Sequence, residues 1–232
     1  MKLAIMQPYF FPYIGYWQLI NAVDKFVIFD DVNFIKRGWI NRNYIIISQT
    51  KKIITLSLEK SSQNKLINEI YISKNKQNKQ KILRTIEYNY KKAPYYLDAF
   101  QVVKDILNKE EFNLSKFLEY QIKAICYYLK IKTNIEVSSS IKKNNDLKSQ
   151  EKILNICKIL NANHYINPLS GKDLYNKEEF NQNRIKLDFL IPKEVPYKHF
   201  NNKFYPNLSI IDVMMFNSVD KIKEILDEYD FI

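Results

Sequence analysis

The chain has 232 residues, of which 46% are hydrophobic and 26% charged, a composition typical of a globular protein with one large domain or a domain plus a lobe. No apolar run reaches the roughly 18 residues of a membrane helix, and the opening MKLAIMQPYF is broken too early by Pro8 for a signal peptide, so we expect a cytoplasmic protein. The net charge of +11 comes mostly from lysines dispersed among Asn and Ile, which disfavours a dedicated nucleic-acid-binding class.

The N-terminal segment predicts a strand–helix–strand unit. Short apolar runs at residues 2–6 and 26–30 flank IGYWQLINAV, whose apolar residues recur at helical spacing. A unit of this length implies two parallel strands joined by a right-handed crossover. The runs YIIIS and KIITLSL, separated by the short polar QTK, then predict a hairpin.

Residues 76–130 have a different character. Three segments repeat apolar residues at i, i+3, i+4 and i+7 and predict three amphipathic helices: QKILRTIEYNYKKA, PYYLDAFQVVKDILN and LSKFLEYQIKAICYYLK. Pro94 suits the start of the second, and Asn113 or Ser115 can cap the third. We therefore predict a helical insert or lobe at 76–130, and an α/β domain that carries the site at 1–75 and 131–232.

The remaining segments complete the sheet. TNIEVSSS, SQEKILNICKILNAN and HYINP predict a second strand–helix–strand unit, and NRIKLDFLIP a further strand. LSIIDVMMF and SVDKIKEILDEY predict closing helices capped by Ser209 and Ser218. The predicted fold class is α/β: a parallel, Rossmann-like sheet built from strand–helix–strand units, with an inserted or appended helical region.

Polar or small residues follow the predicted strands where a parallel sheet binds ligands, beyond the carboxyl ends. These positions are Gln7-Pro8, Asp30-Asp31, Ser138 to Ser140, and Pro168 to Gly171. The chain's three glycines, Gly15, Gly38 and Gly171, each lie just beyond one of these ends, so we expect each to meet a need for positive φ or close backbone approach. Gly15 opens a helix whose amides could face a phosphate or carboxylate.

The segment DDVNFIKRGWINRN, at residues 30–43, is the densest polar cluster of the chain. Adjacent Asp side chains on an extended segment point to opposite sides, so one of Asp30 and Asp31 would face a ligand, as general base or as acceptor from a sugar hydroxyl. The planar guanidinium groups of Arg37 and Arg42 could bind a phosphate or carboxylate through two hydrogen bonds. The ring of Trp39 could stack on a base or a sugar. The alternative is a charged surface turn with an internal Asp–Arg pair.

Histidine and cysteine offer few further candidates. His199 lies in a Pro-rich loop, a better place for function than His164 at the start of a strand. Cys126 and Cys157, both among apolar residues at helical spacing, are expected to be buried free thiols, and no metal-ligand spacing is present. The absence of a Walker loop and of G-x-G-x-x-G excludes P-loop NTPases and ordinary dinucleotide oxidoreductases.

The run MQPYFFPYIGYWQLINAVDKFVIFDDVNFIKRGWINRNYI, with SQEKILNICKILNANHYINPLSGKDLY and FYPNLSIIDVMMFN, closely resembles the WbqC-like protein family. Members typically occur among genes for bacterial O-antigen or other surface polysaccharides, which implies a role in making or decorating an amino sugar, and one proposal for the family is a glycine transferase. Carried over by position, the motif residues are Gln7, Pro8, Pro12, Gly15, Asp24, Asp30, Asp31, Lys36, Arg37, Trp39, Asn41, Arg42, Ser170, Gly171, Tyr175, Ser209 and Asp212.

A second likeness concerns the loop between the first strand and its helix. It resembles the corresponding loop of cytidylyl- and adenylyl-transferases of the class I synthetase-like type, which carry a His-x-Gly-His element there. In this chain Tyr13 and Tyr16 take the histidine positions. Tyrosine can hydrogen-bond a phosphate but brings no charge, so nucleotidyl transfer would depend on Lys36, Arg37 or Arg42.

The resemblance leads us to expect a transferase that adds a small acyl group, glycyl or another aminoacyl among the candidates, to a nucleotide- or lipid-linked amino sugar. The alternatives are a nucleotidyl transferase and a non-catalytic assembly factor for polysaccharide synthesis. Candidate cofactors are an activated acyl donor or ATP, and aminoacyl-tRNA as donor is the one nucleic-acid partner left open. The predicted catalytic residues are Asp30, Asp31 and His199. The predicted binding residues are Gln7, Pro8, Tyr13, Gly15, Tyr16, Lys36, Arg37, Trp39, Asn41, Arg42, Ser170, Gly171, Tyr175, Ser209 and Asp212.

Overall fold

A six-stranded sheet lies at the centre of the computed structural model, which describes residues 1–200 and 203–232. Across the sheet the strands run β10-β9-β8-β1-β2-β7, all parallel except the antiparallel pair β10 and β9. Their bounds are β1 Lys2–Met6, β2 Lys25–Ile28, β7 Asn134–Val137, β8 His164–Pro168, β9 Lys186–Pro192 and β10 Tyr229–Phe231. The predicted parallel, Rossmann-like sheet is confirmed.

Two short hairpins lie outside the central sheet. The first joins β3 Arg42–Ile47 to β4 Thr50–Thr55, and the second joins β5 Leu58–Glu59 to β6 Tyr71–Ile72. The turn of the first consists of Ser48 and Gln49, with φ of 50° and 60°, the mirror-image turn that matches the twist of a two-stranded ribbon. The sequence pattern predicted the first hairpin and missed the second, whose strands have two residues each.

The helices are α1 Ile14–Asn21, α2 Gln77–Tyr90, α3 Tyr96–Asn108, α4 Leu114–Leu129, α5 Ser149–Ile159, α6 Lys177–Gln182, α7 Ile210–Phe216 and α8 Val219–Leu226. The predicted caps Asn113, Ser209 and Ser218 are confirmed, because each side chain accepts a hydrogen bond from a first-turn amide. The short α6 and the edge strand β10 were not predicted. Within the described residues, no helix combines the length and apolarity needed to span a bilayer.

Alternation along the strands divides the core between the two faces of the sheet. Leu3, Ile5 and Val27 pack with α5 and α6, whereas Ala4 and Phe26 face the larger cluster that includes α1, α2, α3, α4, α7 and α8. Because both faces are covered, the central strands β1 and β2 are apolar at every position after their first lysine. The helices at 77–129 contribute to the larger cluster, and their separation as a lobe stays a prediction.

The order of the parallel strands identifies where a ligand site is expected. From β1 the chain proceeds outward to β2 and β7, and then returns to place β8 and β9 on the other side of β1. The direction of winding therefore reverses between β1 and β8. In open α/β sheets ligands bind at such a reversal, beyond the carboxyl ends of the strands.

Candidate functional site

The loop at residues 7–13 leaves the carboxyl end of β1 and is held by buried polar side chains. The Gln121 amide accepts from the Phe11 N–H at 3.0 Å and donates to the carbonyl of Tyr9 at 3.0 Å. Asn43 Nδ2 and Ser209 Oγ both donate to the Phe11 carbonyl, at 2.9 and 2.8 Å. Because these three side chains come from three distant segments, the loop is rigid before any ligand arrives.

A cleft of about 400 Å³ opens beside this loop, and we call it the aromatic cleft. Its lining residues are Tyr9, Tyr13, Trp39, Asn43, Tyr44, Lys51 and Asn207. The ring centroids of Trp39 and Tyr44 are 5.5 Å apart, and Trp39 is 40% exposed. A smaller chamber of about 70 Å³ shares the lining residues Tyr13 and Asn207 with the cleft, so the two lie next to each other. Two predicted binding residues, Tyr13 and Trp39, meet here.

Lys51 brings a positive charge to the aromatic cleft. Its Nζ donates to the carbonyl of Pro206 at 3.0 Å and lies 4.7 Å from the centre of the Tyr44 ring. Burial lowers the pKa of this lysine from its ordinary value. The charge lies against an aromatic wall, an arrangement suited to a phosphate or carboxylate beside a stacked ring.

Behind the chamber lies a buried group that we call the Asp212 cluster: Tyr90, Tyr197, His199 and Asp212. The Asp212 carboxylate is 0% exposed and accepts from Tyr90 at 2.8 Å and Tyr197 at 2.6 Å, and His199 Nε2 lies 3.0 Å from its Oδ2. Burial, and next the charge of Asp212, raise the pKa of Tyr90 and Tyr197 well above the ordinary value. Both tyrosines therefore stay protonated and donate to Asp212, and Tyr197 also lines the chamber.

Asp30 lies just beyond β2 and faces α4. Its carboxylate, 1% exposed, accepts from Ser115 Oγ at 2.8 Å, from the Ser139 amide at 2.9 Å and from Ser139 Oγ at 2.8 Å. A cleft of about 470 Å³ adjoins it, into which Asn68 also projects. The predicted convergence of the ends of β2 and β7 is thus seen directly, in the Asp30–Ser139 contact.

Asp31 points to the other face of the sheet, as the alternation of an extended segment predicts. Its carboxylate lies 2.7 Å from Lys143 Nζ and 3.0 Å from Lys152 Nζ, and both lysines are buried. Burial alone would raise the pKa of Asp31, but hydrogen bonds from Lys143, Ser138 and Lys152 outweigh it and hold the pKa below its ordinary value. The alternative of an internal Asp–Arg pair is wrong: both carboxylates are engaged by serines or lysines.

The arginines of residues 30–43 have local roles or face solvent. Arg42 donates to the carbonyls of Gly38 and Arg37, in the turn just before β3. Asn41 donates to the carbonyl of Leu56, just after β4. Lys36 and Arg37 are exposed and do not line the aromatic cleft. Trp39 and Asn43 are the residues of this segment that line the cleft.

None of the three glycines adopts a positive φ, so of the two needs that we expected, the structure shows close approach. The need is for close approach: a Cβ on Gly15 would lie 2.5 Å from the Tyr13 ring and 2.7 Å from Pro192, so the tyrosine covers the backbone that we expected to face an anion. Tyr16 is also buried, and its hydroxyl donates to the carbonyl of Gln7 at 3.1 Å. Gly15 and Tyr16 therefore support the loop and the position of Tyr13.

The turn after β8 forms a separate group of predicted residues. A Cβ on Gly171 would collide with the Asn167 side chain, Ser170 is exposed, and Tyr175 packs on Tyr165 with ring centroids 5.8 Å apart. Among the described residues, none of this turn lines the aromatic cleft. The two cysteines are buried free thiols, as predicted, and burial raises the pKa of each to about 12.

Sequence reasoning missed the residues that join these elements. Tyr90 and Tyr197 belong to no motif, and Asn43 and Gln121 are ordinary amides in β3 and α4. The available signal for Asn43 was its place inside the polar segment 30–43. For Tyr90 and Gln121 the pairing partner is more than a hundred residues away in sequence, 122 residues between Tyr90 and Asp212 and 110 between Phe11 and Gln121. Tyr197 is 15 residues from Asp212 but lies outside the helix that carries it.

Comparison with known proteins identifies relatives without a described activity. A family model described as the WbqC-like protein family matches residues 7–224. The chain is 31% identical over 216 residues to the uncharacterized protein Rv1507c of Mycobacterium tuberculosis (strain ATCC 25618 / H37Rv), with 92% of each chain covered. No solved structure matches the chain.

Proposed function

The chain belongs to the WbqC-like protein family, and from this and the aromatic cleft we propose that it transfers a small acyl group to the amine of a sugar. The acceptor is an amino sugar linked to a nucleotide or lipid, and the acyl group is glycyl or of similar size. The reaction belongs to bacterial surface-polysaccharide synthesis and takes place in the cytoplasm. The observation that carries the proposal is a rigid, ligand-sized cleft with aromatic walls at the carboxyl edge of β1.

The walls of the aromatic cleft suit a pyranose ring. A sugar presents C–H groups on its faces, which pack on aromatic rings such as Trp39 and Tyr44, and hydroxyls at its edge, which bond to amides such as Asn207. The volume of about 400 Å³ lies within the range of small-molecule sites. The Lys51 ammonium is placed to attract the phosphate that carries the sugar.

The reaction requires an unprotonated amine. The amine nitrogen attacks the carbonyl carbon of the activated acyl group, a C–N bond forms, the bond from that carbon to the carrier breaks, and the carrier leaves as its protonated alcohol or thiol. The proton that the substrate ammonium loses first needs an acceptor. We assign this role to His199, which lies 3.0 Å from Asp212; Tyr197, bound to the same carboxylate, lines the chamber next to the cleft.

The predicted bases Asp30 and Asp31 remain alternatives to His199. Asp31 is bound by two lysines and its pKa is lowered, so it is a weaker base than an ordinary aspartate. Asp30 is bound by two hydroxyls and an amide, partners that suit an acceptor for a sugar or ribose hydroxyl. Both facts favour His199, which carries no such cationic partner among the described residues.

Trp39 provides the test of sugar binding. The chain has two tryptophans, and the other, Trp17, is fully buried, so a ligand in the aromatic cleft should change the emission of Trp39 alone. We expect UDP- or dTDP-linked amino sugars to shift or quench the emission saturably, and Trp39→Phe to abolish the response. Tyr44→Ala should weaken binding at least tenfold, whereas Tyr127→Ala, which removes a tyrosine 89% exposed on α4, should leave it unchanged.

The outcome that would contradict the proposal is a protein that stays folded and shows no Trp39 response to any amino sugar carried by a nucleotide or a lipid analogue. A response to ATP alone, dependent on Mg²⁺ and followed by release of pyrophosphate, would support nucleotidyl transfer instead. Sugar binding without turnover with any acyl donor would support the assembly factor.

A further inference from the structure

A second, wider cavity lies on the outer side of the β3–β4 hairpin, and we call it the basic groove. It has a volume of about 920 Å³ and lies between α2 and the tip of the hairpin. Three of its lining residues are cationic, Lys76, Lys81 and Arg84, and no carboxylate lines it. The groove therefore presents three cationic side chains on a concave surface.

The charge of the basic groove is only partly compensated. Lys76 pairs with Glu110 at 2.6 Å, but both side chains are more than 70% exposed, so the pair is weak and screened. Within residues 1–200 and 203–232, neither Lys81 nor Arg84 has an ion-pair partner. An arginine fork and a lysine without carboxylates are free to bind phosphate oxygens.

The basic groove also offers a stacking surface and neutral hydrogen-bonding groups. Tyr88 is 74% exposed on its wall, and Lys91 Nζ lies 5.8 Å from the centre of that ring. The amides of Gln77 and Gln80 line the same wall. Cations with an exposed aromatic face are the combination by which proteins bind a nucleotide through its phosphates and its base.

The hairpin places the basic groove close to the aromatic cleft. Ile47 lines the groove and Tyr44, three residues earlier on β3, lines the cleft, a separation of about 10 Å along a strand. Between them, the amide of Ile46 donates to the Tyr90 hydroxyl at 2.9 Å, and that hydroxyl donates to Asp212. A ligand held by its phosphates in the groove would thus be one strand segment away from the cleft.

We propose that the basic groove binds a phosphorylated nucleotide that carries the acyl group to the aromatic cleft. Two carriers share this chemistry: the 3′-terminal nucleotides of an aminoacyl-tRNA, and the adenosine bisphosphate end of a coenzyme A thioester. The binding of a nucleotide in the groove is argued from the residues that line the groove and does not depend on the proposed function. The role of the bound nucleotide as acyl carrier rests on the proposed function.

The experiment measures binding of two probes, a fluorescently labelled single-stranded RNA ending in CCA and coenzyme A, to the full chain. The double variant Lys81→Glu/Arg84→Glu should lower the affinity for the probe by tenfold or more. For RNA, it should also reduce the slope of log affinity against log salt concentration by roughly one unit for each lost phosphate contact. Tyr88→Ala should weaken binding with the salt dependence unchanged. The control Lys104→Glu/Lys158→Glu makes the same change of charge at exposed positions of α3 and α5 and should have less than a twofold effect.

If the groove binds the RNA more tightly, the acyl carrier is an RNA. If it binds coenzyme A more tightly, the carrier is a coenzyme A thioester. If neither probe binds, or if the control weakens binding as much as Lys81→Glu/Arg84→Glu does, the proposal is wrong. The Trp39 titration with amino sugars does not depend on the basic groove. A negative result for the groove therefore does not contradict sugar binding in the aromatic cleft, and a negative Trp39 titration does not contradict nucleotide binding in the groove.

Discussion

Asp31 and Asp212 are both buried carboxylates with several donors around them, yet their partners differ in charge. Asp31 lies against two ammonium groups, Lys143 and Lys152, on the α5 side of the sheet. Asp212 has two tyrosine hydroxyls and one imidazole, on the side of the aromatic cleft. The partners of the first carboxylate are cationic ammonium groups, whereas those of the second are hydroxyls and a histidine ring.

This difference indicates different roles. A carboxylate between two lysines holds its neighbours in place, and here it ties β2 to the loop that carries Lys143 and to α5, which carries Lys152. A carboxylate whose single titratable partner near neutrality is a histidine can stabilise an imidazolium as it forms. We therefore expect Asp31 to affect stability and the Asp212 cluster to affect turnover.

The largest expected effect is the loss of stability in Asp31→Ala. The substitution leaves two buried lysines without a counter-charge, and breaking a buried pair in this way costs about 3–5 kcal/mol in the free energy of unfolding. Chemical denaturation measures it. The control Asp173→Ala removes an exposed aspartate and should change stability by less than about 0.5 kcal/mol. Asp31→Leu combined with Lys143→Met and Lys152→Met removes all three charges and should recover most of the loss. Equal losses in Asp31→Ala and Asp173→Ala would show that the lysines do not depend on Asp31.

The next effect is on catalysis. His199→Gln should lower kcat for acyl transfer by about 100-fold or more, the usual contribution of a general base, with little change in KM. Asp212→Asn, which removes the carboxylate that holds His199, should also lower kcat. Retained turnover in His199→Gln, together with its loss in a folded Asp30→Asn or Asp31→Asn, would assign the base to the end of β2 instead.

The fold was largely readable from the sequence because its signals are local. Apolar runs, helical spacing and the caps Asn113, Ser209 and Ser218 each act within a few residues, and they predicted the parallel sheet and most of the helices. The elements that were missed are short: β5, β6, α6 and β10 have two to six residues, too few to show a period. Strand β10 is also antiparallel, paired through the chain's last residues.

The candidate site was only partly readable because its contacts join distant segments. The rule that ligands bind at strand ends correctly grouped Asp30 with the serines after β7. It could not show that Tyr90 on α2 reaches Asp212 on α7, 122 residues later, because neither residue's neighbours contain any sign of the other. The role of the arginines near Trp39 in ligand binding stays a prediction, and in the structure Arg42 donates to backbone carbonyls of its own turn.

The smallest effect, and the one that separates the two carboxylates most directly, is on the dependence of stability on pH. The lowered pKa of Asp31 stabilises the fold above the pKa of the unfolded chain, and this stability is lost as pH falls through the folded value, on the acid side of about 4. The pKa of Tyr197 is raised well above about 10, chiefly by burial and then by Asp212, so its contribution is present below pH 10 and is lost as pH rises further.

Asp31→Asn should therefore flatten the acid limb of the stability profile and Tyr197→Phe the alkaline limb, each by at most about 1.4 kcal/mol per pH unit for one proton. Urea denaturation across the pH range measures both limbs in each variant. If Tyr197→Phe altered the acid limb and left the alkaline limb intact, the hydroxyl would not be the buried donor to Asp212 that the structure shows. The buried charge of Asp212 would then have to be stabilised by a donor other than the Tyr197 hydroxyl.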